Sequence, residues 1–218
     1  MQRTLILGAS GGIGSALAAR LPGAIGLSRR DGLDWRDASR AEHALQTVAV
    51  QGPFDLIFDA TGALEVDGNG PEKALKSIDA DAMAAQFAVN AIGPALILKH
   101  HDALMRRSGR TVFATLSARV GSIGDNGLGG WISYRAAKAA LNQIVRTASI
   151  EIARRRPEAI IVALHPGTVA TPLSDKFAGN RETFSTDEAA RRLLSVLDGL
   201  SPGESGGFFA HDGTPIPW

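Results

Sequence analysis

The chain has no cysteine among its 218 residues, which excludes disulfides and thiolate-bound metals and suits a reducing compartment. It lacks an excess of either charge as well. Twenty-three basic and 22 acidic residues leave a formal net charge of +1, scattered without the basic stripe that a nucleic-acid partner requires. The densest basic run, Arg154-Arg155-Arg156, reads as a solvated helix C-terminus that complements the helix dipole. No stretch approaches the ~18 uninterrupted apolar residues of a membrane span, and no leader pattern opens the sequence, so a soluble, cytoplasmic protein without a membrane partner is expected. The five histidines, His43, His100, His101, His165 and His211, form no pair at ligand spacing with nearby carboxylates, and no metal requirement is expected. His165, at a strand end before Pro166-Gly167, is read as bordering a cleft in a packing or surface role. Linkers and low-complexity segments are absent too, and with 44% hydrophobic residues the sequence reads as one domain over residues 1–218.

What is present begins at the N-terminus. Thr4-Leu5-Ile6-Leu7 reads as a short buried strand that runs into Gly8-Ala9-Ser10-Gly11-Gly12-Ile13-Gly14. A helix follows, with Ile13, Leu17 and Leu21 four residues apart, and Pro22-Gly23 ends it before a second strand, Ala24 to Leu27. Glycines at this place allow a tight turn and close backbone approach, so that a pyrophosphate can rest on free N–H groups at the positive end of the helix. Strand, glycine turn, helix and strand together point to a dinucleotide site at Gly8, Ser10, Gly11, Gly12, Ile13 and Gly14. Further apolar runs at Phe54–Phe58, Arg110–Thr115 and Ala159–Leu164 read as central strands, and Ala82–His100 and Trp131–Arg154 as the strongest helices. The fold class expected is α/β, a Rossmann-like doubly wound, mostly parallel sheet with helices on both faces.

The only tyrosine, Tyr134, stands four residues before Lys138 on the second of those helices. Residues four apart share a face, so the ammonium can favour the ionised phenol and lower a pKa that is ordinarily about 10, giving a general acid or base.

Six landmarks occur in order: the wide glycine loop, Asp59-Ala60-Thr61-Gly62, Val89-Asn90-Ala91-Ile92-Gly93, a serine after a strand, Tyr134 with Lys138, and Pro166-Gly167-Thr168-Val169-Ala170-Thr171. The sequence thereby resembles the short-chain dehydrogenase/reductase family over nearly its whole length. Gly121-Ser122-Ile123, the segment Tyr134–Asn142 and Pro215-Ile216-Pro217-Trp218 look most like its branch of C-factor and sniffer-like carbonyl reductases. The resemblance implies a cofactor-binding part to about residue 115 and a catalytic and substrate part from about 116. It implies a catalytic set of Tyr134, Lys138, Asn90 and Ser117, in which Asn90 disturbs a helix and holds a water on a proton path through Lys138. It further implies that Lys138 bonds the nicotinamide ribose, that Pro166, Gly167, Val169 and Thr171 flank the nicotinamide, and that Ala60, Thr61 and Gly62 border the cofactor. Two departures stand out. Ala118 occupies the place of the family's carbonyl-polarising serine, leaving Ser117 or Ser122 to serve, and Asp59 replaces an asparagine, for which a structural role is favoured. There is no room between Ser28-Arg29-Arg30 and Asp34-Trp35 for the helix the family normally inserts there, so that sheet edge should be pared down.

The same stretch bears on the cofactor. A second strand ending in Ser28-Arg29-Arg30 favours NADP(H), because arginine neutralises a 2′-phosphate, while the nearby Asp31 keeps NAD(H) open. Asp34, with Trp35 beside it, is placed near the adenine by resemblance. The substrate expected is a small carbonyl or alcohol compound, and residues 173–185 are expected to form its lid. Assembly as a homodimer or homotetramer through the helices starting near Ala82 and Trp131 is expected from the resemblance. Two classes of function stay open, a reductase and a nucleotide-binding signalling protein with little or no turnover.

Overall fold

The computed structural model describes residues 3–171 and 183–218. Six strands form one all-parallel sheet in the order β2-β1-β3-β4-β5-β6. In chain order the elements are β1 (Thr4–Leu7), α1 (Gly12–Arg20), β2 (Ile25–Leu27), α2 (Ala38–Ala49), β3 (Leu56–Asp59), α3 (Ala80–Phe87) and α4 (Gly93–Lys99), followed by the short α5 (His101–Leu104). Then come β4 (Thr111–Leu116), α6 (Ile132–Ala153), β5 (Ala159–His165), α7 (Thr186–Gly199) and β6 (Phe208–Ala210).

The strands read as unbroken apolar runs because both faces of the sheet are covered. Successive side chains point to opposite faces. Leu5, Leu7, Ile57, Phe113 and Ile161 therefore pack with Leu141 and Val145 of α6. Ile6, Phe58, Val112, Ile160 and Val162 meet Leu17 of α1 and Leu193 of α7 on the other face. Parallel strands need crossovers, and the chain moves outward from β1 to β2 before returning to place β3 on the opposite side of β1. The strand order reverses there, and such a switch point opens a crevice beyond the carboxyl ends of β1 and β3.

The pared-down edge is as expected: between β2 and Trp35 there is only a single 3-10 turn, Arg29–Asp31. Helix α2 then begins at a cap from Asp37, whose side chain accepts the Arg40 N–H at 3.1 Å. The expected helix over 82–100 is interrupted by a π-helical turn at Ala88–Ile92. Ala80–Lys99 is long and apolar enough by composition to cross a bilayer; in this fold it packs along α6.

Candidate active site

The glycine loop leaves β1 through Gly8, whose φ of 82° lies in the left-handed region. A Cβ there would meet the Ala60 carbonyl oxygen at 2.8 Å, and one on Gly14 would overlap the Gly8 carbonyl oxygen. The turn is thus held against the end of β3 with no space for side chains. α1 starts at Gly11 without a side-chain cap, so its first-turn donors stay available to an anion. This cradle fits a dinucleotide pyrophosphate.

A groove of about 360 Å³ runs from this turn over the switch point. Gly8, Ser10, Gly11, Ser28, Arg29, Asp34, Trp35, Ala60, Thr61 and Gly62, all expected from the sequence to border a cofactor, line it. Arg30 is exposed in the same 3-10 turn and does not line the groove. Asp31 is turned back, its Oδ2 accepting both the Ser28 N–H and the Ser28 hydroxyl at 2.8 Å. Asp34 is held by Arg36, whose guanidinium and backbone N–H depress its pKa. Leu33 and Arg36 also line the groove; the sequence reading missed both, although they flank Asp34 and Trp35.

Beneath the groove lies a buried polar network. Asp59 at the end of β3 is fully buried, and its carboxylate accepts the Thr61 N–H at 3.0 Å, the Thr61 hydroxyl at 2.5 Å and the Thr115 hydroxyl at 2.7 Å. The Thr61 hydroxyl accepts in turn from the Trp35 indole N–H at 3.0 Å. These bonds give Asp59 a structural role, as favoured. Burial pushes its pKa up, opposed by the hydroxyl donors and by the charge of Lys138.

Asn90 sits in the π-helical turn, a feature common at functional sites. Its Nδ2 donates to the Ala63 and Gln86 carbonyls and to Gln86 Oε1, and its Oδ1 accepts the Ala63 N–H at 3.1 Å. A Cβ on Gly62 would lie 3.1 Å from Asn90 Oδ1 and 3.2 Å from Lys138 Nζ. A side chain at this position would crowd both groups by a few tenths of an ångström. Gly62 also adopts a φ of 129°.

A second cavity, of about 440 Å³, continues past the glycine loop. Ile13, Ser117, Tyr134, Pro166, Gly167, Val169 and Thr171 line it together, so residues spread over most of the sequence converge on one space. Gly12 packs against the lining residue Thr171, whose Cγ2 a Cβ there would meet at 2.7 Å. Lys138 is 3% exposed and lies behind the cavity wall, donating to the Leu116 carbonyl at 2.8 Å with Nζ 5.8 Å from the Tyr134 ring centroid. Burial lowers its pKa to about 8, against a smaller opposing pull from Asp59. The expectation that Lys138 lowers the phenol pKa is not met in this arrangement. Tyr134 is half-buried, and loss of water around the hydroxyl pushes its pKa up.

Ser117 lines the cavity with its hydroxyl engaged by the neighbouring helix. Its hydroxyl donates to Asn142 Oδ1 at 2.7 Å, and Asn142 Nδ2 donates to the Gly121 carbonyl at 3.3 Å, which sets the amide's orientation. To polarise a substrate oxygen, the Ser117 hydroxyl must rotate away from Asn142. Ser122 instead accepts the Asp125 N–H at 3.1 Å and does not line the cavity. Asn142 was absent from the sequence-derived set although the signal was there: Tyr134, Lys138 and Asn142 recur at intervals of four on one helix face.

His165 lines this cavity. The expected substrate lid falls mostly on residues 173–182, outside the described residues. Of its remainder, Phe184 pairs with Val169 and Ser185 caps α7. Among the described residues no group of three histidine, aspartate or glutamate side chains is placed to hold a metal ion.

A family model described as enoyl-(acyl carrier protein) reductase matches residues 8–207. The C-signal protein of Myxococcus xanthus is 35% identical over 176 residues, covering 80% of this chain and 99% of its own. Short-chain dehydrogenase srdF of Neurospora crassa is 33% identical over 184 residues, covering 80% of this chain and 70% of its own. Among solved structures, an NADPH-bound carbonyl reductase from chicken fatty liver superposes with a TM-score of 0.82 at 22% identity, covering 100% of this chain and 99% of that one. With a family match over most of its length and a third of aligned residues shared with a named member, the chain belongs to the short-chain dehydrogenase/reductase family.

Proposed function

We propose that the protein is an NADP(H)-dependent reductase of small carbonyl compounds, running in reverse as an alcohol dehydrogenase, with Tyr134 as the general acid and base. The observation that carries this reading is the single cavity in which Tyr134 and Ser117 face the glycine-loop residue Ile13 and the Gly167–Thr171 segment. The glycine loop would hold the pyrophosphate, Arg29 the 2′-phosphate, and Lys138 the ribose nearer the reacting carbon. When bound, the nicotinamide supplies or accepts the hydride.

The chain's own residues supply the proton and the orientation. Tyr134 donates its hydroxyl proton to the developing alkoxide, and the raised pKa of the phenol keeps that proton in place until then. Ser117 adds a hydrogen bond to the same oxygen once its hydroxyl leaves Asn142. Lys138, beside the phenol, stabilises the phenolate that remains, and Asn90 next to it continues the path for reprotonation. Leu64, Val120, Leu128 and Trp131 give the cavity apolar walls, which suits an aldehyde or ketone with an apolar body. Supporting the cofactor choice, Asp31 is engaged with Ser28 while Arg29 lines the groove, and the chicken carbonyl reductase of the same fold is an NADPH complex. Self-association through the helices starting near Ala82 and Trp131 belongs to the same reading, supported by the half-exposed Ile92 and Ile150 that these helical runs carry.

A Tyr134→Phe variant is expected to lose reduction of a panel of aldehydes and ketones by about 10²–10⁴-fold, read as NADPH consumption, while still binding NADPH. Full activity in that variant would refute the role given to Tyr134. One observation favours a second reading: the relative in Myxococcus xanthus bears the name C-signal. Tight NADPH binding without turnover on any carbonyl of the panel would support a signalling protein instead.

A further inference from the structure

The helix that carries Tyr134 starts without a cap of its own. Trp131, its N-cap, adopts a left-handed conformation with φ 55° and ψ 41° and gives the first turn no side-chain hydrogen bond. Such a conformation is uncommon for a bulky side chain, and the preceding Gly129 and Gly130 share it, with φ of 64° and 67°. The chain thus reaches α6 through three left-handed residues in a row, an arrangement that needs outside support.

Arg135 holds the two glycines, its guanidinium donating to the Gly130 carbonyl at 2.9 Å and the Gly129 carbonyl at 3.1 Å, while Trp131 and the first turn of α6 are held by Glu72. Its backbone carbonyl accepts the Trp131 N–H at 2.5 Å, its Oε2 accepts the Ser133 N–H at 3.2 Å, and its Oε1 accepts the Ser133 hydroxyl. Ser133 is 2% exposed, so these donors have little access to water. Partial burial alone would raise the Glu72 pKa, but the Ser133 donors outweigh it and the net shift is downward. A carboxylate at this end of a helix also complements the dipole. Glu72 follows the turn whose Thr61, Gly62, Ala63, Val66 and Asp67 line the cofactor groove. Tyr134 is the residue after Ser133, and the Trp131 ring stands edge-on to it with centroids 6.4 Å apart.

We propose that Glu72 is a positioning residue for catalysis: it caps α6 from the cofactor-side segment and so fixes the Tyr134 hydroxyl and the Trp131 wall of the substrate cavity relative to the bound cofactor. This rests on the reductase reading above. The rest of α6 is anchored by its own core contacts through Leu141, Val145 and Ile152, so removing the cap loosens the first turn and leaves the fold in place. A displacement of about 1 Å at a reacting group costs about 10²-fold in rate.

The test uses Glu72→Ala and Glu72→Gln in the full chain. Glutamine preserves the pairing, because its Oε1 can accept the Ser133 N–H while its amide donates to the Ser133 hydroxyl, which rotates to accept. Glu72→Ala is expected to lower kcat for carbonyl reduction by roughly 10- to 100-fold with little change in NADPH Kd or thermal midpoint, and Glu72→Gln to recover most of the loss. A readout independent of turnover comes from the single tyrosine, since tyrosinate absorbance then follows Tyr134 alone. In Glu72→Ala water reaches the phenol and its pKa should fall toward the ordinary value, whereas in Glu72→Gln it should stay where it is in the parent. Parent-like kcat and an unshifted titration in Glu72→Ala would overturn the proposal. So would a loss that glutamine fails to rescue, or one matched by falls in NADPH affinity and thermal midpoint. If the parent protein turns over no carbonyl, the reductase reading fails, and the titration still decides whether Glu72 holds the tyrosine.

Discussion

Coenzyme choice comes down to two side chains separated by one residue. A carboxylate at the end of the second strand would bond a ribose 2′-hydroxyl, but Asp31 has both a backbone N–H and a hydroxyl of Ser28 on one of its oxygens. It is engaged in closing the 3-10 turn. Arg29 in that turn lines the groove, where its guanidinium can meet a phosphate with charge-assisted hydrogen bonds. Arg29→Ala is therefore expected to raise KM for NADPH by about 10- to 100-fold, the equivalent of one hydrogen bond to a charged group, and to leave KM for NADH within about twofold. Steady-state kinetics with both coenzymes check it. An equal effect on both would mean that Arg29 acts on the turn and not on the phosphate. The sequence alone left Asp31 ambiguous because a carboxylate near the strand end has the right chemistry; only the Ser28 bonds show where it is engaged.

At the level of elements, the glycine loop and the π-helical turn bring the site together. Gly14 belongs to the first turn of α1, and a Cβ there overlaps the Gly8 carbonyl oxygen. This neighbour is backbone and cannot swing aside. Gly14→Ala should push α1 away from the loop, lowering NADPH affinity by at least about tenfold and destabilising the fold by about 1–3 kcal/mol, typical of overpacking; isothermal titration and urea denaturation would measure the two. Unchanged affinity would show that the loop tolerates the shift and that its tightness has no bearing on the cofactor. Where an element ended in punctuation it was legible in the sequence: β1, α1, β4, β5 and α6 lie within a residue or two of expectation because apolar runs and glycines mark their ends. Helices α2 and α7 and strand β6 were not read. The apolar positions of α2 and α7 do recur at helical spacing, Ala41, Ala44, Leu45 and Val48 in one and Ala189, Ala190, Leu193 and Leu197 in the other, so both were legible and were passed over, whereas three-residue β6 is too short for a period. The π-helical turn left no periodic signal either, only an asparagine where an apolar helix gave it no reason to be.

Across the whole molecule, the parallel sheet places the ends of β1, β3, β4 and β5 along one crevice, which is why residues from Gly8 to Thr171 can meet at all. Sequence order predicted that convergence. It could not predict burial, and burial reverses the simplest electrostatic expectation, since Tyr134 is raised and Lys138 lowered to about 8. A lysine whose folded pKa lies below its ordinary 10.5 binds fewer protons in the native state than in the unfolded chain between those two values. Stability must then increase with pH across that window. Tyr134, shifted upward, works in the opposite sense, but only above its ordinary value of 10, so the two contributions separate if measurements stop at pH 10. Lys138→Met keeps all but the terminal atom of the unbranched side chain and removes the titration. The unfolding free energy of the parent minus that of Lys138→Met should rise between pH 7 and pH 10 by an amount on the order of 2 kcal/mol, measured by urea denaturation at both pH values. A flat difference would mean that Lys138 remains charged in the folded protein throughout, compensated by the Asp59 carboxylate behind it. A rising difference would show that Lys138 gives up its proton in the folded protein near pH 8, well below its ordinary 10.5.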